Sequence, residues 1–210
     1  MKIGYLTRFS TEEVERAKRL GFDALEVHST SWSDQVYGGK NQRQQILDDI
    51  KAAADDGIAI TAFAHYGPGL SKKGAALINS YKRVIDLASA TKIKTVTAIA
   101  ARPDRTKAVA DNIKAWAKDY RKIAKIASDK GVRIGFENWP AMGGYPISGR
   151  TMACTPEAWD LMFDAVPSKA LGVEYDPSHL IWQGIDYIEV LKKYADRLVH
   201  VHAKDTEIFY

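Results

Sequence analysis

The stretches that decide the fold class of this chain are GFENWP at residues 135–140, EYDPSH at 174–179 and HVHAKD at 200–205. In each of them a short run typical of a strand leads into carboxylate or imidazole side chains. The carboxyl ends of parallel strands lie at one edge of a sheet. We therefore expect these polar side chains to meet at the mouth of a parallel α/β barrel.

The residue types at these strand ends are those that bind a divalent cation. Carboxylate oxygens together with imidazole nitrogen suit Mn²⁺, Zn²⁺, Co²⁺ or Mg²⁺, whereas a thiolate-rich set would have indicated structural zinc or an iron–sulfur cluster. The sequence thus predicts one divalent metal ion bound by Glu137, Asp176 and His202. The mixed set favours a catalytic ion over a structural one.

Side-chain alternation supports these three ligands. A period of two along each strand directs Glu137, Asp176 and His202 to the inner face near the mouth. Pro177 fixes the exit of the chain after Asp176, so His179 can fold back over the same opening, as a further ligand or as a hydrogen-bonding partner of a substrate. The simpler roles are an ion pair for Glu137, a helix N-cap for Asp176 and a hydrogen-bonded core position for His202.

Other polar and aromatic side chains near the predicted mouth are assigned to substrate or catalysis. The catalytic candidates are Glu137, as the base, and Lys204, which could hold a phosphate or polarise a carbonyl but could equally pair with a carboxylate. The predicted substrate-binding residues are His65, His179, Trp139 and Trp182. His65 reaches the mouth if the inward phase holds at the end of the third strand, and a solvated loop position is an equal alternative. For the two tryptophans, simple packing of the loops is the alternative.

A deeper polar set lies along the same predicted inner faces. It comprises Glu26, Arg133, Glu174 and His200. Because these side chains carry opposite charges, we expect them to pair with one another in a structural role.

Strand-like runs alternate with amphipathic helical segments outward from these stretches along the whole chain. The predicted strands are Lys2–Thr7, Ala24–Ser29, Ile58–Tyr66, Thr95–Ala101, Val132–Trp139, Leu171–Asp176 and Leu198–Ala203. Ser10 with Glu13, and Thr155 with Pro156, are helix-start signals, while Gly21, Gly57 and Gly131 are helix-end signals. Seven β-then-α repeats indicate a parallel barrel rather than a sandwich, and the stretch Pro140–Cys154 is a candidate lid.

Composition is that of a globular protein, with 46% hydrophobic and 27% charged residues over 210 positions, and predicts a single domain over residues 1–210. The net charge of +4 is dispersed, so neither nucleic acid nor a membrane is expected as a partner. Cys154 is the only cysteine, and Met1 leads directly into a strand without an apolar signal segment. These features predict a cytoplasmic location.

The number of strands is the one departure from a closed barrel. A (β/α)₈ barrel needs eight strands and about 250 residues, so the chain is expected to be truncated after the seventh strand, without its C-terminal βα unit. Open edges at the first and last strands would favour association with another chain, so a homo-oligomer is possible.

The stretches GFDALEVHS, VRIGFENWP, LGVEYDPSHLIWQGIDYI and LVHVHAKDTE resemble the xylose-isomerase-like barrel superfamily, specifically its sugar phosphate isomerase/epimerase proteins. The resemblance runs from the first strand to the last residue. It implies one divalent metal held by a Glu on strand five, an Asp on strand six, a His on strand seven and a Glu on strand eight. Glu137, Asp176 and His202 match the first three, and the fourth has no counterpart in this sequence.

The function that the resemblance implies is a divalent-metal-dependent isomerase or epimerase of carbohydrate metabolism. Its small-molecule substrate would be a sugar or sugar phosphate, converted by proton transfer through an enediolate. One alternative is a truncated or degenerate barrel that binds a sugar or partner without turnover. Another is an endonuclease IV-like nuclease, which is disfavoured because strand four supplies no ligands and the charge is dispersed.

Overall fold

The computed structural model describes residues 1–32, 40–141 and 150–209. Most of the candidate lid, residues 142–149, lies outside the described residues. The seven strands of the described part are β1 Gly4–Thr7, β2 Ala24–His28, β3 Ala59–Ala64, β4 Thr95–Ala98, β5 Arg133–Glu137, β6 Leu171–Tyr175 and β7 Leu198–Val201. The helices are α1 Thr11–Arg19, α2 Lys40–Asp55, α3 Tyr66–Ser71, α4 Gly74–Ala90, α5 Val109–Asp129, α6 Pro156–Ala165, α7 Pro177–Ile181 and α8 Tyr187–Lys193.

The strands form a single parallel sheet in the order β1 to β7, each paired with its neighbour in sequence. Helices follow the strands in the way that βαβ units require, so the predicted parallel α/β barrel class is confirmed, with seven parallel strands in the part of the chain that the structure describes. Among the helices described here, none is long and apolar enough to cross a bilayer.

The predicted strands exist but are shorter than expected: β1 begins two residues later than predicted, and the other six strands end one to three residues earlier. After β3, Tyr66 begins helix α3 instead of ending the strand. Pro68 lies in the first turn of that helix, where the missing N–H of proline costs no hydrogen bond. Tyr66 is thereby turned over the end of the sheet.

The helix-start signals act as predicted. The Ser10 hydroxyl accepts a hydrogen bond from the backbone N–H of Glu13, and Thr155 caps α6 in the same way by accepting from the N–H of Ala158. The predicted helix-end glycines have positive φ angles of 77° at Gly21, 87° at Gly57 and 64° at Gly131. These local signals therefore place the helix boundaries correctly.

Close packing of β7 against β5 and β6 positions the later site residues. An added Cβ at Gly172 would lie 2.1 Å from the carbonyl oxygen of Arg197, and one at Gly135 would lie 3.1 Å from Cβ of Val199. At Gly172 a side chain would collide with the backbone of the neighbouring strand, and at Gly135 it would require a small shift of Val199. The strand that carries the two histidines therefore lies directly against the strands that carry the carboxylates.

Two register irregularities lie at acidic residues of the inner face. Between β2 and β3 the pairing shifts after Leu25, so that Glu26 pairs with Ala62. Between β6 and β7 it shifts after Val173, so that Glu174 pairs with His200. Bulges of this kind re-aim side chains and are frequent beside functional sites.

Candidate metal centre

The three predicted metal ligands converge at the carboxyl ends of β5, β6 and β7. Glu137 ends β5, Asp176 follows β6 and His202 follows β7, and each offers a ligand atom within 4.8 Å of the others. Asn138 holds the first two elements together, because its amide nitrogen donates to the Asp176 carbonyl at 2.8 Å and its amide oxygen accepts from the Asp176 N–H at 2.7 Å. The sequence prediction gave Asn138 no such role.

The two carboxylate oxygens of Asp176 have different surroundings. Oδ1 caps helix α7, accepting from the Ser178 N–H at 3.0 Å and the Ser178 hydroxyl at 2.5 Å. Oδ2 is buried and has no aligned hydrogen-bond donor among the described residues, although Lys204 Nζ lies 2.6 Å away. The N-cap role and a ligand role are thus compatible, because each uses its own oxygen.

His202 lies between two pairs of carboxylates. Its Nδ1 is 3.5 Å from Glu137 Oε1 and 3.8 Å from Asp176 Oδ2. Its Nε2 is 2.9 Å from Glu26 Oε2 and 3.1 Å from Glu174 Oε1. Burial alone would lower the pKa of this imidazole, but the surrounding carboxylates outweigh it and raise the pKa to about 12.

Electrostatics keep the two mouth carboxylates ionised. Burial by itself would raise the pKa of Glu137, but the neighbouring His179 and His202 lower it below its ordinary value. For Asp176 burial is likewise outweighed, by His202, Lys204 and the Ser178 hydroxyl, and the pKa is lowered. The carboxylates of Glu137 and Asp176, the latter with Oδ2 not used in the helix cap, and the imidazole of His202 form a set that fits a divalent cation.

A second group of possible ligands lies deeper in the barrel and shares His202. Its members are Glu26, Glu174, His200 and His202. The expected pairing of this deep set with Arg133 is wrong, because Arg133 donates to the backbone carbonyls of Lys169 and Leu198 at the other end of the strands. The expected pairing within the rest of the set is confirmed, since Glu174 Oε1 is 3.2 Å from Nδ1 of His200.

The deeper group fits a metal less well than the mouth group does. Its carboxylates already accept hydrogen bonds, from the Thr97 hydroxyl to Glu26 and from the Tyr66 hydroxyl to Glu174 at 2.9 Å. Burial, followed by the nearby charge of Glu26, raises the pKa of Glu174 well above its ordinary value. The mouth group therefore remains the better position for an ion.

Three of the predicted catalytic or substrate residues lie beside the mouth group. His179 Nε2 is 3.5 Å from both Glu137 Oε1 and Asp176 Oδ2 and 3.4 Å from Lys204 Nζ. The Trp182 ring meets the His179 ring edge to face, with 6.1 Å between centroids. The Lys204 side chain is 51% exposed, and its Nζ lies 2.6 Å from Asp176 Oδ2.

The other two predicted substrate residues have different surroundings. Trp139 is half-buried after β5, and its carbonyl accepts a hydrogen bond from the Thr151 hydroxyl. His65 is buried and faces α4, where Nε2 is 2.9 Å from the Ser80 hydroxyl, while Nδ1 is 2.8 Å from that of Ser29. His65 is therefore not carried into the proposed site, because both ring nitrogens already have protein partners.

A family model described as the xylose isomerase-like TIM barrel matches residues 14–209. The chain belongs to this family. The predicted resemblance is thus confirmed at the level of the xylose isomerase-like fold, and that match covers nearly the whole sequence.

One curated protein to which the chain is similar is a dehydratase. The chain is 33% identical over 92 residues to an inosose dehydratase of Clostridium perfringens, a match that covers 44% of this chain and 28% of the dehydratase. The chain thus matches little more than a quarter of that relative's length.

Two solved structures share the fold at low identity. The IolI protein with a zinc atom aligns with a TM-score of 0.72 at 20% identity, over 100% of this chain and 74% of that one. D-psicose 3-epimerase in the presence of D-fructose aligns with a TM-score of 0.74 at 17% identity, over 96% and 72%. At such identities these alignments show the fold alone.

Proposed function

We propose that this chain forms the metal-binding part of a divalent-metal-dependent sugar isomerase or epimerase. The observation that carries the proposal is the convergence of Glu137, Asp176 and His202 within 4.8 Å at the barrel mouth. The family membership and the similarity to a structure of D-psicose 3-epimerase support it. The substrate would be a keto-sugar or its phosphate, and the product would form by proton transfer through an enediolate.

When bound, a divalent ion would polarise the carbonyl and adjacent hydroxyl of the sugar and acidify the C–H between them. Glu137, Asp176 and His202 would hold the ion. The IolI structure, which has a zinc atom, supports an ion of this kind, while Mn²⁺, Co²⁺ and Mg²⁺ suit the same ligands.

The chain's own residues would move the proton and orient the substrate. Glu137 is ionised at neutral pH, so it can accept the proton from carbon as general base. Lys204 and His179 border the same opening and would hold the substrate's oxygen atoms or its phosphate. Trp139 and Trp182 would offer flat surfaces against the C–H face of the sugar and limit access of water.

Dehydration is the second candidate function, and the similarity to an inosose dehydratase favours it. Loss of water also begins with abstraction of a proton beside a carbonyl, so Glu137 would act in the same role. The two reactions differ in the second step, where a dehydratase expels the β-hydroxyl group and an epimerase returns a proton to carbon.

Metal content of the purified chain tests the site without knowledge of the substrate. We expect near-stoichiometric Mn²⁺ or Zn²⁺ by elemental analysis after dialysis, and its loss in Asp176→Asn. Asp186→Asn is the matched control, because Asp186 also caps a helix but is exposed and outside the site. Metal retained by Asp176→Asn, or lost equally from the control, would contradict the site.

Turnover tests the chemistry. Keto-hexoses, their phosphates and inososes are incubated in D₂O with Mn²⁺, and NMR follows both deuterium uptake beside the carbonyl and loss of water. Exchange without water loss indicates isomerisation or epimerisation, and water loss indicates a dehydratase. Glu137→Gln should abolish exchange, and absence of exchange with every substrate would favour the alternative of binding without turnover.

A further inference from the structure

The geometry points to Glu26 as a positioning residue that fixes which ring nitrogen of His202 faces the metal. This inference rests on the proposed metal site and concerns a residue outside it. Glu26 lies on β2 and His202 follows β7, a separation of 176 positions, yet Glu26 Oε2 and His202 Nε2 are 2.9 Å apart. The two side chains meet across the interior of the barrel.

The two ring nitrogens of His202 face different groups of carboxylates. Nδ1 faces the mouth carboxylates, where Asp176 Oδ2 has no aligned donor within the described part of the chain. Nε2 faces Glu26, away from the mouth. A metal can bind only an unprotonated nitrogen, so Nδ1 must be free of a proton and the ring must carry its proton on Nε2. A carboxylate that accepts a hydrogen bond from Nε2–H stabilises this tautomer.

Glu26 is itself held in one orientation. Its other oxygen, Oε1, accepts a hydrogen bond from the hydroxyl of Thr97 on β4, and it lies 3.4 Å from the hydroxyl of Tyr66, whose proton is donated to Glu174. The register shift between β2 and β3 occurs directly before Glu26, which is where a bulge would aim its side chain inward. Glu26 is 3% exposed, so its carboxylate has little contact with solvent.

Glu174 is less suited to this role although it lies near the same nitrogen. Its Oε1 is shared between Nε2 of His202 at 3.1 Å and Nδ1 of His200 at 3.2 Å, and its Oε2 accepts from Tyr66. Glu26 makes the shorter contact with His202, and its nearest approach to His200 is longer, at 3.7 Å. The orienting hydrogen bond is therefore assigned to Glu26.

Metal affinity of Glu26 variants tests the inference. By chelator competition with Zn²⁺, Glu26→Ala should bind roughly 10- to 100-fold more weakly than the wild type. Glu26→Gln keeps an acceptor but loses the charge, so a smaller loss of roughly fivefold is expected. Glu13→Gln is the matched control, since Glu13 is also hydrogen-bonded but lies on α1 and contacts Tyr5 and Thr7; its affinity should equal that of the wild type.

A second readout separates positioning from a merely structural effect. In the Zn²⁺-loaded wild type, ¹⁵N NMR should show a protonated Nε2 and a metal-bound Nδ1 on His202. In Glu26→Ala the Nε2–H signal should broaden or shift through faster exchange, while circular dichroism shows an unchanged fold. Glu26→Gln keeps the shape of the side chain, so it decides the question if the alanine variant does not fold.

The outcomes distinguish the two proposals. Suppose that the wild type binds Zn²⁺ but the folded Glu26→Ala variant shows the wild-type affinity and the wild-type His202 spectrum. Only the role of Glu26 is then overturned. If the alanine variant does not fold, the same result with Glu26→Gln overturns it. If the wild type binds no metal, the proposed function and this inference both fall. A graded loss from wild type to Gln to Ala, with Glu13→Gln unaffected, supports the inference.

Discussion

Lowering the pH from 7.5 to 4.5 should destabilise the wild-type chain more than a His65→Gln variant. His65 is buried, and the hydroxyls of Ser29 and Ser80 are hydrogen-bonded to its two ring nitrogens. Burial, with smaller contributions from Lys72 and Arg83, lowers its pKa from 6.5 to about 3. The folded chain therefore keeps this imidazole neutral at a pH where the unfolded chain has protonated it.

The size of the effect follows from proton linkage. Between pH 6.5 and about 3 the unfolded state binds one more proton at His65 than the folded state does, so the free energy of unfolding falls as the pH falls. Each pH unit in this window contributes about 1.4 kcal/mol. At pH 4.5, two units below the unfolded pKa, the wild type should have lost about 3 kcal/mol through His65 alone.

Urea unfolding at both pH values, for both proteins, measures this difference. Other groups titrate in the same range, so the relevant quantity is how much more stability the wild type loses than His65→Gln, whose side chain does not titrate. We expect an excess of about 3 kcal/mol. Equal losses would mean that His65 protonates in the folded chain as readily as in the unfolded chain, which would refute the lowered pKa and the linkage argument built on it.

Three further results are expected. Lys204→Met should raise metal affinity roughly two- to fivefold by titration, because it removes a half-exposed ammonium that competes for Asp176; unchanged affinity would argue against competition. Metal binding at pH 7 should release about one proton per ion, because His202, whose pKa is raised to about 12, must lose a proton before it can bind the metal. Metal affinity should therefore rise with pH, and calorimetry in buffers of different ionisation enthalpy measures the number of protons released. Gly172→Ala should destabilise the fold by about 1–3 kcal/mol in urea, because the added Cβ would lie 2.1 Å from the Arg197 carbonyl oxygen; wild-type stability would show that β7 can move away.

Much of the fold was predictable because its signals are local. Seven strand-like runs alternating with amphipathic helices require a parallel sheet, and capping residues such as Ser10 and Thr155 fix helix starts within a few residues of sequence. The convergence of Glu137, Asp176 and His202 was predictable for a related reason. Parallel strands end at the same edge, so residues at those ends become neighbours whatever the loops between them do.

His65 shows where sequence periodicity stops being sufficient. The inward phase expected for it assumed unbroken alternation along the third strand. The register shift after Leu25 pairs Glu26 with Ala62 and His28 with Ala64, which places the following His65 on the side that faces α4. A bulge depends on how two strands pair, so the sequence of one strand does not reveal it.

The amino-acid sequence by itself determined the barrel class, the order of elements and the three residues that meet at the mouth. The tertiary structure alone decided that Asp176 divides its oxygens between a helix cap and the mouth, and that Glu26 and Tyr66 reach the interior beside His202. The physical reason is the separation in sequence over which each kind of interaction acts. Alternation and capping act over a few residues, whereas the direction of a side chain across a barrel depends on the register and close approach of strands far apart in the sequence.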